Sequence, residues 1–141
     1  MKQINPYLNF NGDTEEAFNF YKSVFGGEFR ILMRFKDTPE AGNIPADARD
    51  QIMHVALPLG KDNVLMGTDA PESMGFGLKF GNNVHISIHT ESREEADKLF
   101  NGLSAGGNVQ MPMTDMFWGD YYGAFTDKFR VQWMIAFTNP K

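Results

Sequence analysis

The sequence predicts an α+β protein built from two successive modules, each with the order strand, helix and three further strands. Two segments, near residues 14–25 and 92–104, have the polar caps and apolar spacing of amphipathic helices. Short β-rich runs punctuated by glycine and proline fill most of the remaining chain. Placing the first helix on the second with an offset of 79 residues, the difference between Glu15 and Glu94, aligns their caps, apolar faces and glycine terminators. The sequence therefore predicts an internal duplication.

Both helices are expected to begin at a polar cap and to end at a glycine pair. In the first helix, Asp13 or Thr14 can cap the free N–H groups, and Gly26-Gly27 follows the last turn. Its expected buried residues are Ala17, Phe20, Tyr21 and Val24. Ser92 is the expected cap of the second helix, which ends at 106–107. Its expected buried residues are Ala96, Leu99, Phe100 and Leu103.

Eight runs of β-forming residues account for the strands. They cover residues 5–11, 28–36, 51–59, 63–67, 84–90, 108–113, 121–126 and 131–137. The segment 37–50 contains two prolines, several acidic residues and few large apolar ones, which predicts an exposed loop. In the run 84–90 the apolar residues Val84, Ile86 and Ile88 alternate with polar ones, so the two sets are expected on opposite sheet faces.

Composition excludes several classes of function. The chain has 141 residues, of which 42% are hydrophobic and 22% charged, as in ordinary globular domains. The absence of cysteine excludes a disulfide framework, a thiolate nucleophile and a zinc–thiolate site. A net charge of −5 argues against nucleic acid as a partner. No apolar run approaches the roughly 20 residues that span a bilayer, and no signal-peptide segment is recognisable, so we expect a cytoplasmic protein with no membrane partner.

Several motifs in order resemble one family. They are the segment 6–13 (PYLNFNGD), the segment 53–57 (MHVAL), the segment 64–69 (VLMGTD) and the segment 118–123 (WGDYYG). The turn Thr126-Asp127-Lys128-Phe129 stands where relatives usually carry Asp-Pro-Phe-Gly. Together they resemble the PhnB-like branch of the vicinal oxygen chelate superfamily, which includes glyoxalase I, bleomycin-resistance proteins and extradiol dioxygenases.

The resemblance implies a glyoxalase-like fold, in which tandem βαβββ modules form a curved mixed sheet around a cleft. It places modules 4–70 and 82–138 in one domain of residues 1–141. It also implies a homodimer, since such proteins very often complete the cleft with a second copy.

The resemblance further implies where a metal ion would be held. Family enzymes commonly bind a divalent metal through two His and one or two Glu, and His85 matches one such position. The counterpart of His85 in the first module is Asn5 or Pro6, and the carboxylate positions lie near Met66 and Met134. Thioethers are weak ligands for the oxygen-seeking metals of this chemistry. At most one of the four usual ligands is present, so no cofactor is expected, with a divalent metal at His85 as the alternative.

Other polar residues could form a site of a different kind. His85 and His89 lie on one strand about 13 Å apart, too far to share an ion without bending of the strand. His54 on another strand could approach one of them, with Asp69 or Asp120 adding a carboxylate. For each histidine, a structural or hydrogen-bonding role is the alternative to ligand or metal binding.

An aromatic segment, residues 111–123, is the remaining candidate. It places Met116, Phe117, Trp118, Tyr121 and Tyr122 around a glycine-flanked turn. Aromatic rings with polar tips suit a pocket for an organic ligand, and they equally suit the end of a core or a dimer interface.

Two functions remain. The first is a protein that binds a small organic molecule, with His54, His85, His89, Trp118 and Tyr121 as the expected ligand-binding residues. The second is a divalent-metal-dependent lyase, isomerase or dioxygenase with an unusual ligand set. The chain lacks a nucleophile elbow, a P-loop and a dinucleotide fingerprint.

Overall fold

Eight strands and two α-helices follow one another in the predicted order. The computed structural model describes all residues, Met1–Lys141. The elements are β1 (Tyr7–Phe10), α1 (Thr14–Phe25), β2 (Ile31–Arg34), β3 (Ile52–Leu59), β4 (Asn63–Asp69), β5 (Ile86–His89), α2 (Arg93–Ser104), β6 (Asn108–Asp115), β7 (Asp120–Thr126) and β8 (Gln132–Thr138). Neither α-helix is long and apolar enough to cross a membrane.

The chain divides into two units with the same topology. Unit 1 comprises Met1–Lys79 and unit 2 comprises Phe80–Lys141. Unit 1 contains a four-stranded sheet of order β1-β4-β3-β2, and unit 2 one of order β5-β8-β7-β6. In each sheet the first pair is parallel and the other two are antiparallel. Both helices have twelve residues and differ by the predicted offset of 79. The α+β fold with two βαβββ modules is confirmed.

The packing of α1 differs from the prediction, and Val24, expected on the buried face, is only partly buried. Phe18 is fully buried, whereas Phe20, which the sequence placed on the buried face, is only partly buried. Phe18 packs where β4 has no side chain, since a Cβ at Gly67 would lie 2.5 Å from a Phe18 ring carbon. In α2, all four residues expected in the core are buried. The Phe100 ring meets Phe125 of β7 edge-to-face at 5.0 Å.

The amino terminus of α1 is capped from a distant strand, which corrects the sequence-based assignment. Asp13 makes no capping hydrogen bond through its side chain. Instead the carboxylate of Asp69, at the end of β4 and only 2% exposed, accepts hydrogen bonds from Gly12 N (2.8 Å) and Thr14 N (3.2 Å). Ser92 caps α2 as predicted, because its Oγ accepts a hydrogen bond from Glu95 N at 3.0 Å.

The segment 37–50 is largely exposed, as predicted, but it is not featureless. Short 3₁₀ turns lie at Phe35–Asp37, Ala41–Asn43 and Ala46–Ala48. Phe35, which precedes the segment, and Ala48 within it are buried, and they hold the segment against the rest of unit 1.

Candidate functional site

Each sheet has one face that carries the helix and one that does not. In unit 1 the helix side includes Gly67, which lies against Phe18 of α1. Because strand residues alternate between faces, the neighbours of Gly67 point away from α1. The strand register then defines the helix-free face of unit 1, formed by Tyr7, Asn9, Ile31, Met33, His54, Ala56, Met66 and Thr68.

The polar centre of this face is a tyrosine–histidine pair. The Tyr7 hydroxyl and His54 Nδ1 are 3.0 Å apart. The two rings are nearly parallel, with an interplanar angle of 20° and centroids 5.6 Å apart. Partial burial raises the pKa of the Tyr7 phenol, so the phenol is held in its neutral form. Two thioethers lie beside the pair in the register, Met66 opposite Tyr7 and Met33 opposite His54.

The sequence predicts His54 as a site residue, whereas Tyr7 is not among the predicted site residues. The one signal in the sequence was the alternation of residues along β1, which puts Tyr7 and Asn9 on the face opposite Phe10. In the structure Tyr7 and Asn9 are exposed and Phe10 is fully buried. The partner of Tyr7 is 47 residues away in the chain, and only the pairing of β1 with β4 and of β4 with β3 brings the two side chains together.

Unit 2 has an equivalent helix-free face. Phe125 packs on α2, so its neighbours Ala124 and Thr126 point the other way. The face includes Ser87, His89, Met111, Asp120, Tyr122, Ala124, Thr126, Gln132, Met134 and Ala136, and His85 directly precedes β5. As the alternation predicted, His85, Ser87 and His89 are exposed while Ile86 and Ile88 are partly buried. Val84, expected to face the helix with the isoleucines, is 70% exposed because β5 begins only at Ile86.

The aromatic segment places its residues on different sides of the sheet. Trp118 is 53% exposed, and its Nε1 donates a hydrogen bond to Asp120 Oδ2 at 3.1 Å. The Trp118 ring also lies 6.3 Å from that of Tyr122, on the helix-free side. Phe117 is almost fully exposed and contacts Trp118 edge-to-face.

Tyr121, one of the five expected ligand-binding residues, lies on the other side. Its hydroxyl donates a hydrogen bond to Asp97 of α2 at 2.6 Å, and this bond raises the pKa of the Tyr121 phenol. The Arg93 guanidinium stacks 3.8 Å from the centroid of the Tyr121 ring. Tyr121 therefore ties β7 to α2, and the adjacent Tyr122 is the tyrosine that shares a face with the histidines. The sequence alone could not tell which of these two neighbouring tyrosines faces the helix, because only the strand register assigns each residue to a sheet face.

The register also locates the metal-ligand positions that the family resemblance implies. Met66 lies between Tyr7 and Ala56, and Met134 lies between Ser87 and Ala124. The two methionines thus occupy equivalent places in their sheets. Two residues before Tyr7 is Asn5, and two residues before Ser87 is His85. Asn5, rather than Pro6, is therefore the counterpart of His85.

These residues do not fit a hard divalent ion. The four positions supply one imidazole, one amide and two thioethers, whereas such ions prefer carboxylate and imidazole ligands. The Asn5 amide oxygen is already used, since it accepts a hydrogen bond from Val64 N at 3.3 Å. The carboxylate of Asp69 is bound by backbone N–H groups, and Asp120 accepts hydrogen bonds from Trp118 and Thr138. No group of three or more His, Asp or Glu side chains is placed to hold a metal ion.

Paired βαβββ units, each presenting a helix-free sheet face, define the glyoxalase-like class of protein. Consistent with this, the family model described as the Glyoxalase/Bleomycin resistance protein/Dioxygenase superfamily matches residues 3–135. The chain therefore belongs to that superfamily.

Relatives of known structure or sequence support this membership over nearly the whole chain. Protein PA1353 from Pseudomonas aeruginosa, known from a crystal structure, has 39% sequence identity to this chain. The two structures superpose with a TM-score of 0.86, and the match covers 98% of each chain. The PhnB protein from Bacillus cereus is 26% identical with a TM-score of 0.76, covering 96% of this chain and 99% of its own. Protein YjdN from Escherichia coli K12 is 26% identical over 140 residues, covering 94% of this chain and 92% of the relative.

Proposed function

We propose that the protein binds a small organic molecule at its helix-free sheet faces, without the divalent metal of the enzymes in its superfamily. The observation that carries this proposal is the placement of Met66 and Met134, at equivalent positions in the two sheets, where the resemblance implies metal-binding carboxylates. Each thioether is flanked by a small alanine on the neighbouring strand, Ala56 or Ala124. The two thioethers are partly exposed, and they offer contact surface to an apolar ligand and little to a hard cation.

About half of the side chains on these faces are polar, and the one carboxylate among them, Asp120 of unit 2, already accepts hydrogen bonds from Trp118 and Thr138. In unit 1 the polar groups are the amide of Asn9, the hydroxyl of Thr68 and the Tyr7–His54 pair. In unit 2 they include Ser87, His89 and Tyr122. A lining that combines apolar side chains with hydrogen-bonding groups suits an organic molecule that is itself partly polar. No cluster of basic side chains favours a phosphate or another multiply charged anion.

Methyl-labelled methionine provides a direct test. We expect the NMR signals of the Met66 and Met134 methyl groups to shift saturably when tetralin, an uncharged fused-ring hydrocarbon, is added to the untagged protein. Met113, whose sulfur lies on the helix side of the sheet near Gly123, and Met1, at the exposed amino terminus, are internal controls whose signals should not move. The absence of any saturable shift, with tetralin or with its ketone 1-tetralone, would contradict the proposal.

Metal content provides the complementary measurement. After incubation with zinc, nickel, iron or manganese and removal of free ions, we expect well under one equivalent of metal, because the four family positions supply too few hard donors. His85→Ala should leave that low content unchanged. Stoichiometric metal that disappears in His85→Ala would instead favour the divalent-metal-dependent lyase, isomerase or dioxygenase.

A homodimer in the cytoplasm is part of the same proposal. Each four-stranded sheet has two edge strands, and edge strands with apolar side chains favour pairing with another chain. β6 is such an edge, and its Val109 and Met111 are 45% and 37% exposed. Sedimentation at micromolar concentration should report about twice the 15.9 kDa of one chain. A monomer under those conditions would contradict the dimer without affecting ligand binding to one unit.

A further inference from the structure

The hydrogen bond between Tyr7 and His54 determines where the neutral imidazole carries its proton. A phenol is a better hydrogen-bond donor than an imidazole N–H, and an imidazole nitrogen is a better acceptor than a phenol oxygen. At 3.0 Å the Tyr7 hydroxyl therefore donates to His54 Nδ1, and the proton of the neutral ring lies on Nε2. Because Tyr7 remains neutral at ordinary pH, this donor is always available.

The Nε2–H group of His54 is left without a partner. The one hydrogen bond of the His54 side chain is that through Nδ1, and the ring is only partly buried. A donor held in a fixed orientation on a partly buried face costs little to order when a ligand oxygen arrives. The pair thus presents one preorganised N–H donor to whatever binds there.

The surroundings of this donor favour an uncharged ligand. None of the eight strand positions on the helix-free face of unit 1 carries a charged side chain. The cation at the end of β2, Arg34, is held by Glu15 of α1 through hydrogen bonds of 3.0 and 2.6 Å. A carboxylate on this face would lose its hydration without gaining a counter-ion, whereas a carbonyl oxygen needs only the N–H.

The remaining contacts favour an aromatic ring. Met33 and Met66 lie on the strands that flank His54, and thioether sulfur packs favourably against aromatic ring edges. The Tyr7 ring, 45% exposed and nearly parallel to the imidazole, offers a flat surface for stacking.

We propose that the helix-free face of unit 1 selects aromatic molecules that carry an uncharged carbonyl oxygen, with His54 Nε2–H as the donor to that oxygen and Tyr7 as the positioning residue. This inference rests on the proposed binding of organic molecules and specifies the class of ligand.

A matched pair of probes tests the proposal. Tetralin and 1-tetralone share one fused-ring skeleton and differ in a carbonyl, and their Kd values can be measured from the Met66 methyl signal. The decisive quantity is the ratio of the tetralin Kd to the 1-tetralone Kd. In His54→Phe, which keeps a ring and removes the donor, we expect this ratio to fall about tenfold because the carbonyl loses its partner. Tetralin itself should bind the variant as it binds the wild type, which shows that the face is intact.

Tyr7→Phe tests the positioning role separately. Without the phenol, the imidazole proton is shared between its two nitrogens, so the ratio should fall by a smaller factor, about twofold if the two tautomers are equally populated. Nitrogen-15 NMR should show His54 protonated on Nε2 in the wild type and a mixture of tautomers in Tyr7→Phe. Tyr121→Phe, which removes a phenol that donates to Asp97 on the helix side of unit 2, should change neither readout.

The outcomes separate this inference from the proposed function. If both probes bind and the ratio is the same in His54→Phe as in the wild type, the carbonyl selectivity is wrong and the proposed function stands. If tetralin-1-carboxylate binds more tightly than 1-tetralone, the preference for an uncharged oxygen is wrong. If no probe binds at all, the proposed function fails together with this inference.

Discussion

Asp69→Ala is expected to destabilise unit 1 by about 3–5 kcal/mol. The carboxylate is 2% exposed and accepts four hydrogen bonds. Three come from Gly12 N, Thr14 N and Thr14 Oγ1 at the start of α1, and the fourth comes from Ile52 N at the start of β3. Alanine would leave these donors without a partner, at a cost of roughly 1–3 kcal/mol for each that stays buried. Some of this cost is relieved where water reaches Gly12, which is exposed.

Amide hydrogen exchange can localise this effect. In Asp69→Ala, protection should be lost first at Gly12, Thr14 and Ile52 and then along α1. Asp47→Ala, at an exposed carboxylate in the segment 37–50, is the matched control and should change stability by less than about 0.5 kcal/mol. Equal effects of the two substitutions would show that the Asp69 carboxylate does not hold α1 to the sheet.

The features that sequence predicted well are those encoded by neighbouring residues. The end of α1 at Gly26 and the cap of α2 at Ser92 depend on residues within one turn, and the structure confirms both. The alternation of His85, Ser87 and His89 with the isoleucines is likewise a property of one strand. The internal duplication was visible because the two helices share a length and an offset.

The features that sequence missed depend on strand register. The cap of α1 is Asp69, which is 55 residues from Thr14, so no local motif announces it. Phe18 rather than Phe20 enters the core because Gly67 on another strand leaves room for its ring. Tyr7 and His54 meet only after three strands have paired, and Tyr121 and Tyr122 separate only when β7 has a defined register. In each case the deciding contact joins elements far apart in the chain.

The sheets keep the strand order of two equivalent βαβββ units although methionine stands where the resemblance implies metal-binding carboxylates. Met66 and Met134 still suit their β-strands, because a thioether packs well against neighbouring side chains and carries no charge that a metal ion must neutralise. At the same time the Tyr7–His54 pair supplies a polar group on the same face of unit 1. Under the function proposed above, selectivity depends on an oriented hydrogen bond instead of on Lewis acidity.

Asp127→Asn is expected to destabilise unit 2 by about 2–3 kcal/mol. The carboxylate is 3% exposed, and its Oδ1 accepts hydrogen bonds from Phe129 N (2.8 Å) and Val131 N (3.0 Å). Its Oδ2 accepts one from Trp133 Nε1 at 2.8 Å. These bonds hold a turn in which Arg130 has a φ of 73°, a left-handed conformation that costs a residue with a Cβ about 1–2 kcal/mol. Asparagine could preserve the Oδ1 bonds only by turning its NH₂ group toward the Trp133 N–H, which places two donors face to face.

The second tryptophan provides a matched control for this prediction. Trp118 Nε1 also donates to an aspartate, Asp120, but Trp118 is 53% exposed, so water can replace the lost acceptor in Asp120→Asn. We expect that substitution to cost less than about 1 kcal/mol in urea unfolding. Trp133→Phe completes a double-mutant cycle, because it removes the donor that Asp127→Asn leaves facing an NH₂ group. The two effects should be non-additive by about 1 kcal/mol, and strict additivity would show that the bond between Asp127 and Trp133 contributes nothing to the stability of unit 2.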